Sequence, residues 1–188
     1  MSRRPAPAGG ATPDTRAGRA ALHGKLPPGH FIRDAAEAPD RPGAYLLLVM
    51  LPGPLRVTLP HRPEATLQPG ALFYAGSARG PGGLRARLAR HQRSDKKPHW
   101  HIDCVTLAGT VPGAWIFPGG NECAIVAALA DLPVPLPGFG SSDCRHCTSH
   151  LLAWPPGMED TGIVQSVTGM LHTAGLSSVR RRPNGHWR

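Results

Sequence analysis

Long apolar runs are missing from this chain. No apolar run exceeds eight residues, as in Ala44 to Leu51, whereas a helix that crosses a bilayer needs about 20, so no membrane-spanning segment is expected. Acidic residues are scarce: 12 Asp and Glu stand against 21 Lys and Arg, giving a formal net charge of +9. That imbalance disfavours a cationic partner and favours a polyanionic one, nucleic acid before an anionic membrane surface. Cysteine is also sparse, with four among 188 residues. The first 25 residues contain arginines but no apolar stretch that would serve as a secretory signal. The expectation is therefore a cytoplasmic protein with reduced thiols rather than a disulfide frame. No internal repeat is found, which sets aside solenoids and propellers.

What is present suits one ordinary domain with tails. Residues 1–36 are rich in Pro, Gly, Ala and Arg and lack apolar periodicity, as in a disordered basic arm. Such an arm either rests on phosphates or serves as a solubilising tail. A folded domain is expected over 37–155, and an amphipathic helix with a basic tail over 156–188. Ala44 to Leu51 is too continuously apolar for a half-exposed strand and belongs in the middle of a sheet. Leu55, Val57 and Leu59 alternate with Arg56 and Thr58 as a partner strand with one wet face. Pro69-Gly70 introduces a strand over Ala71 to Ala75. Connections this short imply antiparallel hairpins.

Leu84 to Arg93 reads as a short helix, with Leu84 and Leu88 on the buried side and Arg87 and His91 on another face. The alternation from His99 to Leu107 predicts a strand, His101 and Asp103 on one face and Trp100, Ile102 and Cys104 on the other. Asn121 is the expected N-cap of a helix running to Leu132, with Glu122 in its first turn. Pro133 to Ser149 reads as loop. Ile163, Val164, Val167, Met170 and Leu171 keep the spacing of a last helix.

The densest chemistry lies between Tyr74 and Asp103, where glycines share a stretch with Arg79, Arg85, Arg87, Arg90, Arg93, Lys96 and Lys97. Several separated motifs there and around it form an ordered set. Gly43-Ala44-Tyr45, Tyr74-Ala75-Gly76, Leu84-x-x-Arg87 with His91, and Glu122 at a helix start resemble the GIY-YIG nuclease superfamily. YAGSARGPGGLRARLARH, KKPHWHID, NECA and PGFGSSDC resemble its branch called domain of unknown function 123, over roughly residues 42–154.

The resemblance implies an α+β fold, a small mainly antiparallel sheet flanked by helices. It also implies hydrolysis of a DNA phosphodiester at one divalent metal, magnesium or manganese. Carried onto this chain, Tyr45 and Tyr74 lie beside the scissile phosphate and one of them, helped by His91, positions or deprotonates water. Arg87 faces the phosphate and Glu122 holds the metal. Arg79, Arg85, Arg90, Arg93, Lys96, Lys97 and His101 are the expected nucleic-acid contacts. Because that branch also occurs fused to DNA-repair glycosylases, a repair glycosylase is the implied protein partner. An inactive nucleic-acid-binding module on the same fold is the alternative.

The residue types suit that chemistry. Arg offers a permanent, fork-shaped set of donors to phosphate oxygens. Magnesium needs only one or two carboxylates plus substrate phosphate, so a single Glu suffices. Both signature triplets carry Ala where the superfamily has Ile, and 28 residues separate Tyr45 from Tyr74, room for the added strand Leu55 to Leu59. Arg79 to Gly83 lengthens the turn before the helix.

Two further sets stand apart. His99, His101 and Asp103 either contact metal or DNA, or bond locally. Cys144-x-x-Cys147-x-x-His150, with Cys104 and Cys123 elsewhere, has one ligand pair where a zinc signal wants two. Packed thiols are expected rather than zinc. Asp143 reads as a loop anchor that accepts backbone hydrogen bonds.

Overall fold

The computed structural model describes residues 30–155 together with Val167 and Gly169. Its elements in order are β1 (His30–Ile32), a single 3-10 turn (Ala35–Glu37), β2 (Gly43–Leu51), β3 (Leu55–Val57), β4 (Ala65–Leu67), β5 (Gly70–Ala78), α1 (Gly83–Gln92), α2 (His101–Ala108), β6 (Thr110–Pro118), α3 (Glu122–Ala128) and β7 (Leu151–Ala153). Five strands form one sheet in the order β1-β6-β2-β5-β7, with every pairing antiparallel. β3 and β4 form a separate two-stranded ribbon. The α+β class with an antiparallel sheet is as expected.

β2 lies at the centre of the sheet and both of its faces are covered, which is why its sequence is apolar without alternation. Tyr45, Leu47 and Val49 face a core completed by Leu84 and Leu88 of α1 and Ile102 and Val105 of α2. Ala44, Leu46 and Leu48 face a second core with Trp115, Phe117 and, from α3, Ile125. The sheet is thus the middle of three layers.

Several expectations change. Residues 30–36 are not part of an arm: β1 pairs with β6, and Ile32 and Ala35 are buried in the first core. The Asp34 carboxylate accepts from Ala36 N at 2.8 Å and caps the turn that follows. The expected strand over 99–107 is the helix α2. Asp103, in its first turn, accepts from the N–H groups of His99 and Trp100 at 2.8 and 3.0 Å, satisfying donors that a helix start leaves bare.

β3 does not extend the central sheet, because it pairs with β4 alone. β5 runs on to Ala78, beyond the expected end at Ala75. α3 stops at Ala128, four residues short of expectation, where Leu129 N already bonds Ile125 and Val126 carbonyls together. Residues 1–29 of the arm and most of the expected terminal helix and tail lie outside the described residues. Val167, one of the apolar positions of that helix, is helical and buried in the second core.

Candidate functional site

Five of the expected residues line one cavity of about 520 Å³: Tyr45 from β2, Tyr74 from β5, Arg87 and His91 from α1, and Glu122 from α3. Strand register places the two tyrosines. Tyr45 pairs across with Gly76, and Leu47 with Tyr74, so both phenols come from the same face two positions apart. Their ring centroids are 6.5 Å apart. Asn121 fixes the start of α3 by accepting from Cys123 N and Ala124 N at 2.8 and 3.2 Å, and thereby sets Glu122 at the cavity.

Tyr45 Oη lies 2.7 Å from His91 Nε2. Both side chains are buried, at 2% and 1% exposure. His91 therefore joins Leu84 and Leu88 on the inner stripe of α1, with half-buried Arg87 on the same stripe rather than on a separate face. Burial, with Lys96 the second cause, holds the His91 pKa down to about 3. Burial and then the neighbouring Tyr74 push Tyr45 well above its ordinary value. Burial raises Tyr74 to about 12 although Arg87 pulls the other way. At neutral pH the site thus holds two protonated phenols and a neutral imidazole. The Arg87 guanidinium sits 4.0 Å from the Trp100 ring centroid, a cation–π contact that orients it. Glu122 is half-buried, and its Oε2 is buried without a hydrogen-bond partner among the described residues.

The expected nucleic-acid contacts divide. Lys96 is a correction: it is 6% exposed and its Nζ donates to the His91 carbonyl at 2.7 Å, so it braces α1 instead of facing a partner. Arg90 pairs with buried Asp103 at 2.8 Å and donates to the Lys97 carbonyl at 2.9 Å. Arg85 donates to the Ala38 carbonyl at 2.9 Å. Arg93 pairs with Asp95 at the surface. Arg79 and Lys97 are exposed, and the half-buried ring of His101 lies against Phe139. Of the set His99, His101 and Asp103, the aspartate bonds locally. Asp143, exposed on the cavity wall, accepts from the Ser142 hydroxyl at 3.0 Å rather than from backbone N–H groups.

The cysteines are placed differently from expectation. Cys123, Cys144, Cys147 and His150 gather with their ligand atoms all within 4.8 Å of one another. Cys144 Sγ accepts from His146 N at 3.4 Å and Cys147 N at 3.2 Å, and these two donors hold its thiol down to about 6. Cys104 stands apart on α2, its thiol donating to the His101 carbonyl at 2.9 Å. All four are candidates in the sequence, but Cys123 reads there as standing elsewhere, and its meeting with Cys144, Cys147 and His150 is not expected from it. Cys123 and His150 stand 27 positions apart, and the packing of α3 on β5 together with the pairing of β5 and β7 brings them together.

Fold and cavity together define a small three-layer α+β protein with a polar hollow built from sheet and helices at once. The family model described as "Domain of unknown function DUF123" matches residues 44–172, more than half of the chain, and the chain belongs to that family. No curated protein and no solved structure matches it.

Proposed function

We propose that this protein is a metal-dependent endonuclease that hydrolyses DNA phosphodiester bonds, in repair or in the processing of structured DNA, with the site organisation of the GIY-YIG nucleases. The observation that carries the proposal is the convergence of Tyr45, Tyr74, Arg87, His91 and Glu122 on one cavity. Glu122 would hold the ion. Its Oε2 is buried with no hydrogen-bond partner among the described residues, and a carboxylate oxygen is the hard donor that magnesium or manganese takes. An ion held by Glu122 would supply positive charge that offsets the negative charge of a reacting phosphate.

The chain's own residues do the rest. Arg87, oriented by Trp100, presents its donors to the non-bridging oxygens, where charge grows as the phosphate reacts. Tyr74, kept protonated, donates one more hydrogen bond. His91 is neutral at physiological pH, and with its proton on Nδ1 it accepts from Tyr45. The lone pairs of Tyr45 Oη are then left to orient the attacking water, and His91, held neutral, acts by fixing the phenol rather than by taking up the proton.

Purified wild-type protein is expected to cut at least one substrate in a panel of branched, flapped, nicked and abasic DNAs with magnesium or manganese. Glu122→Gln is expected to remove cutting and leave binding largely intact. A second reading, a nucleic-acid-binding module without activity, draws on the burial of Tyr45 and His91 against each other. Binding with no cleavage of any substrate in the panel would decide for it.

A further inference from the structure

We propose that Cys123, Cys144, Cys147 and His150 form a structural zinc site that ties the start of α3 to the segment between α3 and β7. Zinc sites of this type are tetrahedral, with Zn–S near 2.3 Å and Zn–N near 2.0–2.1 Å, so their ligand atoms lie about 3.4–3.8 Å apart. Here Cys123 Sγ is 3.5 Å from Cys144 Sγ and 4.0 Å from His150 Nε2, and all four ligand atoms lie within 4.8 Å of one another. Small side-chain rotations close the remaining gap.

The backbone is arranged for a thiolate. His146 N and Cys147 N both point at Cys144 Sγ, and N–H donors aimed at sulfur favour its charged, ligating form. A disulfide between any two of the cysteines would leave the third thiol and His150 without a role, whereas a metal uses all four.

The donor set also chooses the ion. Three thiolates and an imidazole suit zinc, and magnesium wants hard oxygens. This centre therefore does not compete with Glu122 for its ion. With all four positions supplied by protein, no place remains for water or substrate, which marks the site as structural.

Its place in the fold gives the zinc a task. Between the end of α3 and β7 some 20 residues carry no regular element, which is long for a loop in a compact domain unless something pins it. The four ligands are that pin. Cys123 follows Glu122 directly. The carbonyl of His150 accepts from Ala75 N at 2.9 Å, beside Tyr74. The zinc thus couples the helix that bears Glu122 to the strand that bears Tyr74, and keeps both side chains at the cavity.

The test uses the full chain and no DNA, so its result is independent of the nuclease reading. Elemental analysis after extensive dialysis is expected to find about one zinc per chain. Refolding with cobalt(II) should give the intense visible bands of a tetrahedral ion and the near-ultraviolet thiolate charge-transfer bands. Cys123→Ser and Cys144→Ser should lose zinc, while Cys104→Ser keeps it. Zinc near zero in the wild type, or full retention with an unchanged cobalt spectrum in Cys123→Ser, would overturn the proposal. If the variants do not fold, the wild-type cobalt spectrum decides alone, and an octahedral spectrum without thiolate bands rejects the site.

Discussion

Tyr45 reaches the cavity because its neighbour on β5 carries no side chain. Its partner across β2 and β5 is Gly76, and a Cβ there would run into the phenol ring. Gly43 is needed for a related reason, since a Cβ at that position would strike the Phe117 carbonyl on β6. The glycines of the two signature triplets were visible in the sequence, but their purpose was not, because close approach is a property of paired strands. His91 shows the converse. Leu84, Arg87, Leu88 and His91 stand at i, i+3, i+4 and i+7, a single helical stripe, and dividing it into an apolar pair and a polar pair hid the burial of the imidazole. That burial has a measurable result. The unfolded chain binds a proton at His91 near pH 6.5, and the folded chain only near about 3. The unfolded state thus holds more protons between those values, and stability falls as pH drops through that window, by up to about 1.4 kcal/mol per unit from this group. Above pH 6.5 the contribution of His91 to stability is complete. Urea denaturation at pH 7, 5.5 and 4.5 should show a shallower acid limb in His91→Gln than in wild type. Equal slopes would mean that His91 is not held neutral.

Secondary elements were readable where their pattern is long and unbroken, as in β2 and α1, and unreadable where it is short. α2 is the clearest case. Over a few residues, alternation and helical spacing can fit the same letters. The buried positions Ile102, Val105 and Thr106 follow the helix, and what decides the contest is Asp103. Its carboxylate takes two backbone N–H groups and Arg90, a helix-start function that an alternating pattern does not reveal. β6 escaped notice because Pro112 and Gly113 read as turn signals within Thr110–Pro118, and β1 because three residues beside a Pro- and Gly-rich stretch carry no periodicity. The Asp103 cluster predicts its own cost. Asp103→Asn removes a cap and leaves Arg90 without its counter-charge. Loss of about 2–3 kcal/mol is expected, the low end of a buried-pair deletion because Arg90 keeps some contact with water. Arg93→Ala, which breaks an exposed pair with Asp95, should leave the urea midpoint unchanged. A midpoint as insensitive to Asp103→Asn would remove Asp103 from the role of nucleating α2.

At the scale of the whole molecule, the cavity and the cysteine cluster draw on residues from 45 to 150, and no local pattern states which of them meet. Motif order brought out the five cavity residues; spacing alone could not bring out the cysteine cluster. Charge shows the same limit. The seven basic residues between Tyr74 and Asp103 look like one phosphate-binding stretch, yet folding commits Lys96 and Arg90 to internal partners. Lys96 braces the His91 carbonyl and Arg90 pairs with Asp103, while Arg85 and Arg93 stay exposed but are engaged by the Ala38 carbonyl and by Asp95. Among the exposed members, Arg79 and Lys97 are bound to no carbonyl or carboxylate among the described residues and are the ones most open to a polyanion, besides Arg87 in the cavity. If nucleic acid is the partner, these roles separate in a salt titration, because each phosphate contact adds close to one unit to the slope of log K against log salt. Arg79→Ala and Lys97→Ala should each lower that slope by about one without moving the melting temperature. Lys96→Met should leave the slope in place and lower the melting temperature, since it removes a support of α1 and no phosphate contact. A full unit lost from the slope in Lys96→Met would mean that this lysine, buried in the structure, turns outward to meet DNA.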